Sequence, residues 1–409
     1  IEEVIIAMPS APGTTVRRIV ELAKKAKVQY RIIPGIYEVI SGKVSISLLR
    51  PVDVEDLLRR EPVRLDIDSI AGYLSSKVVL VTGAGGSIGS EICRQICHFS
   101  PKLLILLGRG ENSLFNIERE MKANYSHIPY VTMVADVRNT HKIEHIFEQY
   151  RPEVVFHAAA HKHVPMMETN PDEAILNNIG GTQNLVKNAL RFNTSYFVNI
   201  STDKAVNPTS IMGASKRVAE MVVRKAAKEA REGQHFMSVR FGNVLGSRGS
   251  VVPIFRDQIR KGGPVTVTHP DMTRYFMTIP EAAQLVLQAG GMQKNGQVFV
   301  LDMGDPVKIV DLAKDLIRLS GFEPGEDIDI VYTGVRPGEK LFEELLTAEE
   351  GTTATHHKKI FEAKSNDLPA DLDAKLAGLF ETAASGNNED ICKRLFELVP
   401  CFKEDKETQ

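Results

Sequence analysis

Ser201-Thr202-Asp203-Lys204-Ala205 closes a short apolar run from Tyr196 to Ser201 and sets a hydroxyl, a carboxylate and an amine in consecutive positions. Such a triplet can move protons both ways, the carboxyl group as acid and the amine, once neutral, as base. A few residues on, Ile211-Met212-Gly213-Ala214-Ser215-Lys216 opens a long helical pattern and offers a second amine. Upstream, Val78-Val79-Leu80-Val81-Thr82-Gly83-Ala84-Gly85-Gly86-Ser87-Ile88-Gly89-Ser90-Glu91 places Gly83, Gly86 and Gly89 three apart, after an apolar strand and before a helix. Glycine there permits a tight turn, lets the backbone approach a pyrophosphate and lets helix pack on strand, while the helix N-terminus brings N–H groups and partial positive charge. The expected guest is a dinucleotide. Taken alone, the same residues read as a glycine-rich turn, a helix cap at Thr202 and Asp203, and a solvated lysine.

The elements around them decide between those readings. Val78 to Thr82, Leu103 to Leu107, Val131 to Asp136, Val154 to Ala158 and Tyr196 to Ser201 are short, apolar and rich in β-branched residues, and a helical pattern follows each. That alternation predicts right-handed crossovers and an α/β fold with a doubly wound, Rossmann-type parallel sheet, whose strand ends face a ligand crevice. Residues 77–240 form this domain. After Arg240, Pro253, Pro264, Pro270 and Pro280 break the alternation, so 241–352 reads as a smaller substrate lobe with returning segments of the main domain, folded against the sheet's carboxyl edge. In front, Glu3 to Met8 reads as a buried strand, followed by a helix with Val16, Ile19, Val20 and Leu22 inward, a strand from Val28 to Ile33 and a stop at Pro34-Gly35. Residues 1–50 are thus a partial N-terminal α/β segment, too small to cover both faces of a parallel sheet, and the start at Ile1 reads as a cut in a longer protein. Residues 51–76 read as a connector with one short helix near Val54 to Arg60, 353–402 as an extension of two amphipathic helices, and 403–409 as a disordered charged tail.

In an NAD enzyme the second strand usually ends in an acid about 20 residues after the last glycine, holding the ribose 2′-hydroxyl. Here it ends Leu107-Gly108-Arg109-Gly110. Gly108 removes the repulsion a 2′-phosphate would feel, and Arg109 can pair with that phosphate or stand in solvent, so NAD and NADP are both admissible. Asp136-Val137 would sit by the adenine edge, or Asp136 would cap the next helix. The 50 Lys plus Arg balance 52 Asp plus Glu, leaving −2, so no global field attracts nucleic acid. With 43% apolar residues among 409, the chain can fill the cores of two or three domains. No apolar run reaches the roughly 18 residues of a bilayer span and no signal peptide opens the chain, so these residues are expected to be soluble. Cys93, Cys97, Cys392 and Cys401 lack paired spacing, which excludes a disulfide framework or zinc site and suits a reducing compartment. Cys93 and Cys97 read as buried thiols. His161 and His163, with no acid at ligand spacing, line the crevice or pack, and no metal is expected.

Phe156-His157-Ala158-Ala159-Ala160-His161-Lys162-His163-Val164-Pro165, Ser201-Thr202-Asp203-Lys204-Ala205, Arg240-Phe241-Gly242-Asn243-Val244 and Arg336-Pro337-Gly338-Glu339-Lys340 together resemble the extended short-chain dehydrogenase/reductases that act on nucleotide sugars. The chain is most similar to the large, non-inverting UDP-N-acetylglucosamine 4,6-dehydratases of bacterial polysaccharide biosynthesis, over Lys77 to Leu346. In the superfamily signature Tyr-x-x-x-Lys, Met212 holds the tyrosine position and Lys216 is kept. A thioether takes up no proton. The large dehydratases carry methionine there, so the departure sharpens the match.

The resemblance implies a tightly bound, recycled NAD(P)+ held by Gly83, Gly86, Ser87, Ile88, Gly89, Arg109, Asn112, Ser113, Asp136, Val137, Ala158, Ala159, Ala160 and Lys216. It implies a redox-neutral dehydration in which hydride leaves C4 of the sugar, the C5 proton is removed, the C6 hydroxyl departs and hydride returns to C6. The catalytic set is then Thr202, Asp203, Lys204, Lys216 and Met212. Asp203 is the acid at C6, Lys204 the base at C5, and Thr202 orients the C4 hydroxyl, with a water or Asp203 completing that relay. Lys216 holds the nicotinamide ribose. Lys162, Asn243, Arg248, Arg274, Arg336 and Glu339 are the substrate candidates, the cations suiting a diphosphate and the others uracil or ribose hydroxyls. Expected partners are the UDP-sugar and further copies of the chain. Large relatives carry membrane helices upstream, which would place this portion at the cytoplasmic face of the bacterial inner membrane. Two rivals remain, a nucleotide-sugar C4 epimerase, which relies on the tyrosine, and a non-catalytic NAD(P)-sensing regulator.

Overall fold

The computed structural model describes residues 1–33, 49–58, 60, 63–345, 351–364 and 367–400, so the stop at Pro34-Gly35 and the tail 403–409 lie outside the described residues. The chain divides into two compact units, one of Leu65–Gly242, Ala283–Asp302 and Arg336–Gln409, the other of Ile1–Arg64, Asn243–Ala282 and Met303–Val335.

The larger unit is built on nine strands, β1 (Val78–Thr82), β2 (Leu103–Gly108), β3 (Tyr130–Val134), β4 (Val154–His157), β5 (Tyr196–Ile200), β6 (His235–Arg240), β7 (Val298–Leu301), β8 (Thr352–Ala354) and β9 (Ile360–Ala363). Their order across the sheet is β8-β9-β7-β6-β5-β4-β1-β2-β3. β1 through β7 pair in parallel, and β9 pairs antiparallel with β7 and β8. Every residue of β1 and β4 is buried, which is why these strands read as apolar runs, closed by Thr82 and His157, rather than as alternating ones. The chain leaves β1 toward β2 and β3, then crosses back to β4 on the other side of β1. Between β1 and β4, where Thr82 lies opposite His157, successive connections diverge, and in open α/β sheets such a switch point is where ligands bind.

Three sequence expectations are corrected here. The third strand ends at Val134 instead of Asp136, because the Asp136 carboxylate accepts from Arg138 N at 2.9 Å and starts a turn. The extension from 353 begins with the β8–β9 pair, which lengthens the sheet, before helices Leu372–Ser385 and Asn388–Leu398. The connector carries a second helix, Ile67–Leu74, capped by Asp66 and fastened by Tyr73 Oη donating to Leu287 O at 2.7 Å. Eight residues with polar interruptions gave too little periodicity to announce it.

In the smaller unit, helix Gly13–Lys25 packs Val16 and Val20 with Ile6 and Ile32 of a parallel strand pair, Glu3–Ile6 and Gln29–Ile32. The first strand was expected to be buried. Of its four residues only Ile6 is, and Ile5 is 48% exposed, since one helix covers one face and alternate side chains point away from it. Arg17 pairs with Asp315 at 2.7 Å and Lys24 Nζ donates to Arg318 O at 2.6 Å, tying this helix to helix Ile309–Leu319. The first 64 residues therefore share a compact unit with parts of the lobe that the sequence reading had kept apart. No helix among the described residues is long and apolar enough to cross a membrane.

Candidate active site

The glycine loop is closed to side chains at three positions and tight at a fourth. Gly83 turns the chain with φ of +67°, and a Cβ on it would lie 2.8 Å from the backbone of Ala158 and Ala159 after β4. A Cβ on Gly89, in helix Ser87–Cys97, would meet Gly83 O at 2.2 Å, and one on Gly86 would meet the same oxygen at 3.0 Å. The loop at Gly83, the helix at Gly89 and the backbone of Ala158 and Ala159 thus leave one another no room for side chains. Gly85, outside the three-apart spacing, is as tightly closed, since its Cβ would sit 2.6 Å from Ser113 Oγ. The adjacent pair Gly85-Gly86 was the available signal. Asn112 and Ser113 lie in the first turn of helix Glu111–Asn124.

Arg109 is exposed, and its Nη1 stands 3.6 Å from Asp136 Oδ2. Arg138 grips the same carboxylate through Nε and Nη2 at 2.8 to 3.1 Å. Burial alone would raise the Asp136 carboxyl, but the Arg138 hydrogen bonds outweigh it and hold it below the usual range. Val137 is buried against Gly181 and accepts from Asn184 Nδ2 through its carbonyl, so its side chain serves packing.

β5 hands over to Ser201, and Thr202 caps a single 3₁₀ turn, Asp203–Ala205. Thr202 Oγ1 donates to Asp203 Oδ1 at 2.8 Å, and Lys204 Nζ donates to the same oxygen at 3.1 Å. Asp203 N is anchored on Phe241 O at 3.1 Å. Asp203 is 1% exposed, and its Oδ2 is buried with no hydrogen-bond partner. Leaving such an oxygen unmet costs roughly 1–3 kcal/mol, which any hydrogen-bond donor brought to it would relieve. Lys204 Nζ also lies 3.4 Å from Glu343 Oε1, a buried carboxylate absent from the sequence reading because it falls beyond the string ending at Lys340.

Lys216 is buried on helix Ile211–Glu229, and burial pushes its ammonium down to about 8, the Glu220 carboxylate opposing. Burial, helped by the Lys216 charge, holds the His157 imidazole down at about 3. Neutral His157 bridges Thr82 Oγ1 at 2.8 Å and Thr182 Oγ1 at 2.9 Å. Thr182 donates to Asn178 O, and Asn178 Nδ2 donates to Ser215 Oγ at 3.0 Å, so one polar chain links β1 and β4 to the helix that carries Lys216. Met212, at the start of the same helix, is 3% exposed within the apolar core, and its thioether holds no proton.

Of the substrate candidates, Lys162 and Arg336 are exposed, and Glu339 is half-buried with Oε2 unpartnered. Thr209 Oγ1 donates to Gly338 O at 3.2 Å, Lys340 Nζ to Val206 O at 2.9 Å and Asn207 Nδ2 to Glu344 Oε2 at 3.1 Å, stapling this segment to the loop after Lys204. Asn243, Arg248 and Arg274 belong to the smaller unit. Asn243 sits on a short strand pairing with Phe276–Met277, Arg274 is buried with Nη1 on Thr273 O, and Arg248 is exposed. His161 Nε2 lies 3.3 Å from Glu173, and among the described residues no group of three or more metal-ligating side chains gathers.

Residues 79–365 match the family described as polysaccharide biosynthesis protein. The chain belongs to that family. It is 54% identical over 365 residues to the capsular polysaccharide biosynthesis protein CapD of Staphylococcus aureus, covering 89% of this chain and 61% of CapD. It is 53% identical over 362 residues to the probable polysaccharide biosynthesis protein EpsC of Bacillus subtilis, covering 88% of this chain and 59% of EpsC. The chain therefore spans about three fifths of these relatives (61% and 59%). Among solved structures, Pen from Bacillus thuringiensis is 35% identical with a TM-score of 0.66, over 72% of this chain and 89% of Pen. The dTDP-glucose 4,6-dehydratase DesIV of Streptomyces venezuelae, solved with NAD bound, has a TM-score of 0.59 over 77% of this chain and 99% of its own. At 18% identity it shares the fold.

Proposed function

We propose that this chain is the catalytic portion of a nucleotide-sugar 4,6-dehydratase, converting UDP-N-acetylglucosamine to UDP-2-acetamido-2,6-dideoxy-4-hexulose for polysaccharide synthesis. The observation that carries the reading is Asp203, buried, bonded to Thr202 and Lys204, with one oxygen left for a ligand. The glycine cradle fits the pyrophosphate of a nicotinamide dinucleotide, NAD or NADP, because Gly83, Gly85 and Gly89 leave no room for a side chain and Gly86 leaves little. When bound, that group would accept hydride from C4 and return it at C6.

The chain's own residues then handle three protons. Thr202 orients the C4 hydroxyl and passes its proton to Asp203 Oδ1. Asp203 delivers that proton to the C6 oxygen, which departs as water. Lys204 takes the C5 proton and returns a proton to C5, ending as it began. An epimerase would need a proton carrier where Met212 lies in the core. In heavy water, UDP-N-acetylglucosamine is expected to lose one water and gain solvent deuterium at C5. A product of unchanged mass without label would sink the dehydratase and favour the epimerase, and indifference of all turnover to Lys204→Ala would favour the regulator.

Two further outcomes concern the cofactor. Gly89→Ala is expected to force the helix off the Gly83 turn and abolish tight dinucleotide binding, whereas Gly72→Ala, which has open space for a Cβ, leaves it unchanged. Fluorescence titration reads both. Lys216 grips the ribose as an ammonium, so cofactor affinity is present below about 8 and falls as pH rises through that value. A charged hydrogen bond of roughly 1.5–3 kcal/mol makes the loss on the order of tenfold or more. Lys216→Met binds weakly at all pH and loses the pH dependence.

A further inference from the structure

We propose that Glu343 is the positioning residue of Lys204 and the acceptor for the proton that Lys204 must shed before it can act at C5, an inference that rests on the dehydratase reading. Lys204 Nζ has Asp203 Oδ1 at 3.1 Å and Glu343 Oε1 at 3.4 Å. Held between two carboxylates the amine is an ammonium, and an ammonium takes no proton. Asp203 is committed to the proton coming from Thr202, for an Asp203 already protonated by Lys204 could not accept the one from O4. Glu343 is the other acid beside the amine. Its side chain is 3% exposed, against 21% for Lys204. Substrate covering Lys204 would remove the remaining water, and in such surroundings an ion pair loses its advantage over a neutral amine beside a neutral acid.

The step balances. An N–H bond of Lys204 breaks and an O–H bond forms on Glu343. The free amine then takes the C5 proton and later returns one to C5, after which Glu343 gives its proton back to Lys204. No electrons or net protons are exchanged. Delivery of Glu343 is built into the chain, since three hydrogen bonds from Thr209, Lys340 and Asn207 fasten its segment to the loop that follows Lys204. Gly338 makes the approach possible, with φ of +75° and Glu168 and Ser210 atoms 3.1 Å from where a Cβ would stand.

The test uses the chain with UDP-N-acetylglucosamine and NAD+, comparing Glu343→Gln, Glu343→Asp, Lys204→Ala and the double variant Lys204→Ala/Glu343→Gln. Glu343→Gln is expected to lose on the order of 10²-fold in turnover. Because oxidation at C4 does not need Glu343, near-ultraviolet absorbance of reduced nicotinamide should build up and persist after substrate is added, while deuterium uptake at C5 slows by the same factor. Glu343→Asp should recover part of the rate, and the double variant should be no slower than Lys204→Ala, because both residues act in one step. Independently of turnover, labelling of Lys204 by an amine-directed reagent, followed by peptide mass spectrometry, should quicken in Glu343→Gln. Unchanged turnover in Glu343→Gln, or a loss without reduced nicotinamide and without rescue by Glu343→Asp, overturns the proposal. A wild-type chain that dehydrates no UDP-sugar removes the underlying reading as well, whereas a dehydrating wild type with an indifferent Glu343→Gln removes Glu343 alone.

Discussion

Lys204→Ala and Asp203→Asn are each expected to cut dehydration on the order of 10³-fold while leaving the fold and nucleotide-sugar affinity in place. A general acid or base placed within hydrogen-bond reach contributes roughly 10²–10⁴ in rate. Neither residue is a large part of the apolar core, and the turn that bears them stays anchored by Asp203 N on Phe241 O and by the Thr202 cap. The two variants should stall at different points. Asp203→Asn loses the acceptor for the C4 hydroxyl proton, so no reduced nicotinamide forms on adding substrate. Lys204→Ala still oxidises C4 and stalls with the nicotinamide reduced. Rapid-mixing absorbance separates them, and equal, full turnover in both variants would place the chemistry on other residues.

The second large effect is on stability. Glu220→Ala should destabilise the larger unit by about 3–5 kcal/mol, the cost of stranding a buried charge. Arg240, 1% exposed, donates to Glu220 through Nε and Nη2, both at 2.7 Å, and Ser201 Oγ donates to the same carboxylate at 2.6 Å. With a total stability of roughly 5–15 kcal/mol for a domain, that is a severe loss, readable as a lower urea midpoint. Replacing both partners together, Glu220→Leu with Arg240→Met, should cost less than Glu220→Ala alone, because the buried Arg240 charge is then not stranded. Burial would raise the Glu220 carboxyl, yet Arg240, Arg217 and Ser201 hold it below the ordinary glutamate range. The unfolded chain therefore binds a proton first on acidification. The pair's contribution is complete above the ordinary range and is lost as pH falls through the depressed value. Ser201 immediately precedes Thr202, so slack in this pair would also loosen the Thr202-Asp203-Lys204 triplet.

Most of what was legible in advance was local. β1, β4 and β5 were readable because a strand covered on both faces is predominantly apolar, and the Thr202-Asp203-Lys204 triplet stood out because it follows such a strand. β8 and β9 were not readable. Three and four residues of mixed polarity show no period that separates them from a loop or a helix, and only pairing, of β9 with β7 and of β8 with β9, defines them. Ile5 misled in the opposite direction, since an apolar run looks buried whether or not a second layer arrives to cover it.

By itself the sequence determined the glycine cradle, the alternation of strand and helix, and the place of the triplet at a strand's end. These follow from which backbone angles and side-chain periods neighbouring residues allow. Only the tertiary structure decided that Glu343 stands by Lys204, that Arg138 occupies Asp136, that Lys216 is stripped of water and that Met212 packs in the core. Ion pairing and desolvation depend on distance in space, and residues far apart along the chain acquire that distance only when the sheet and its loops have folded.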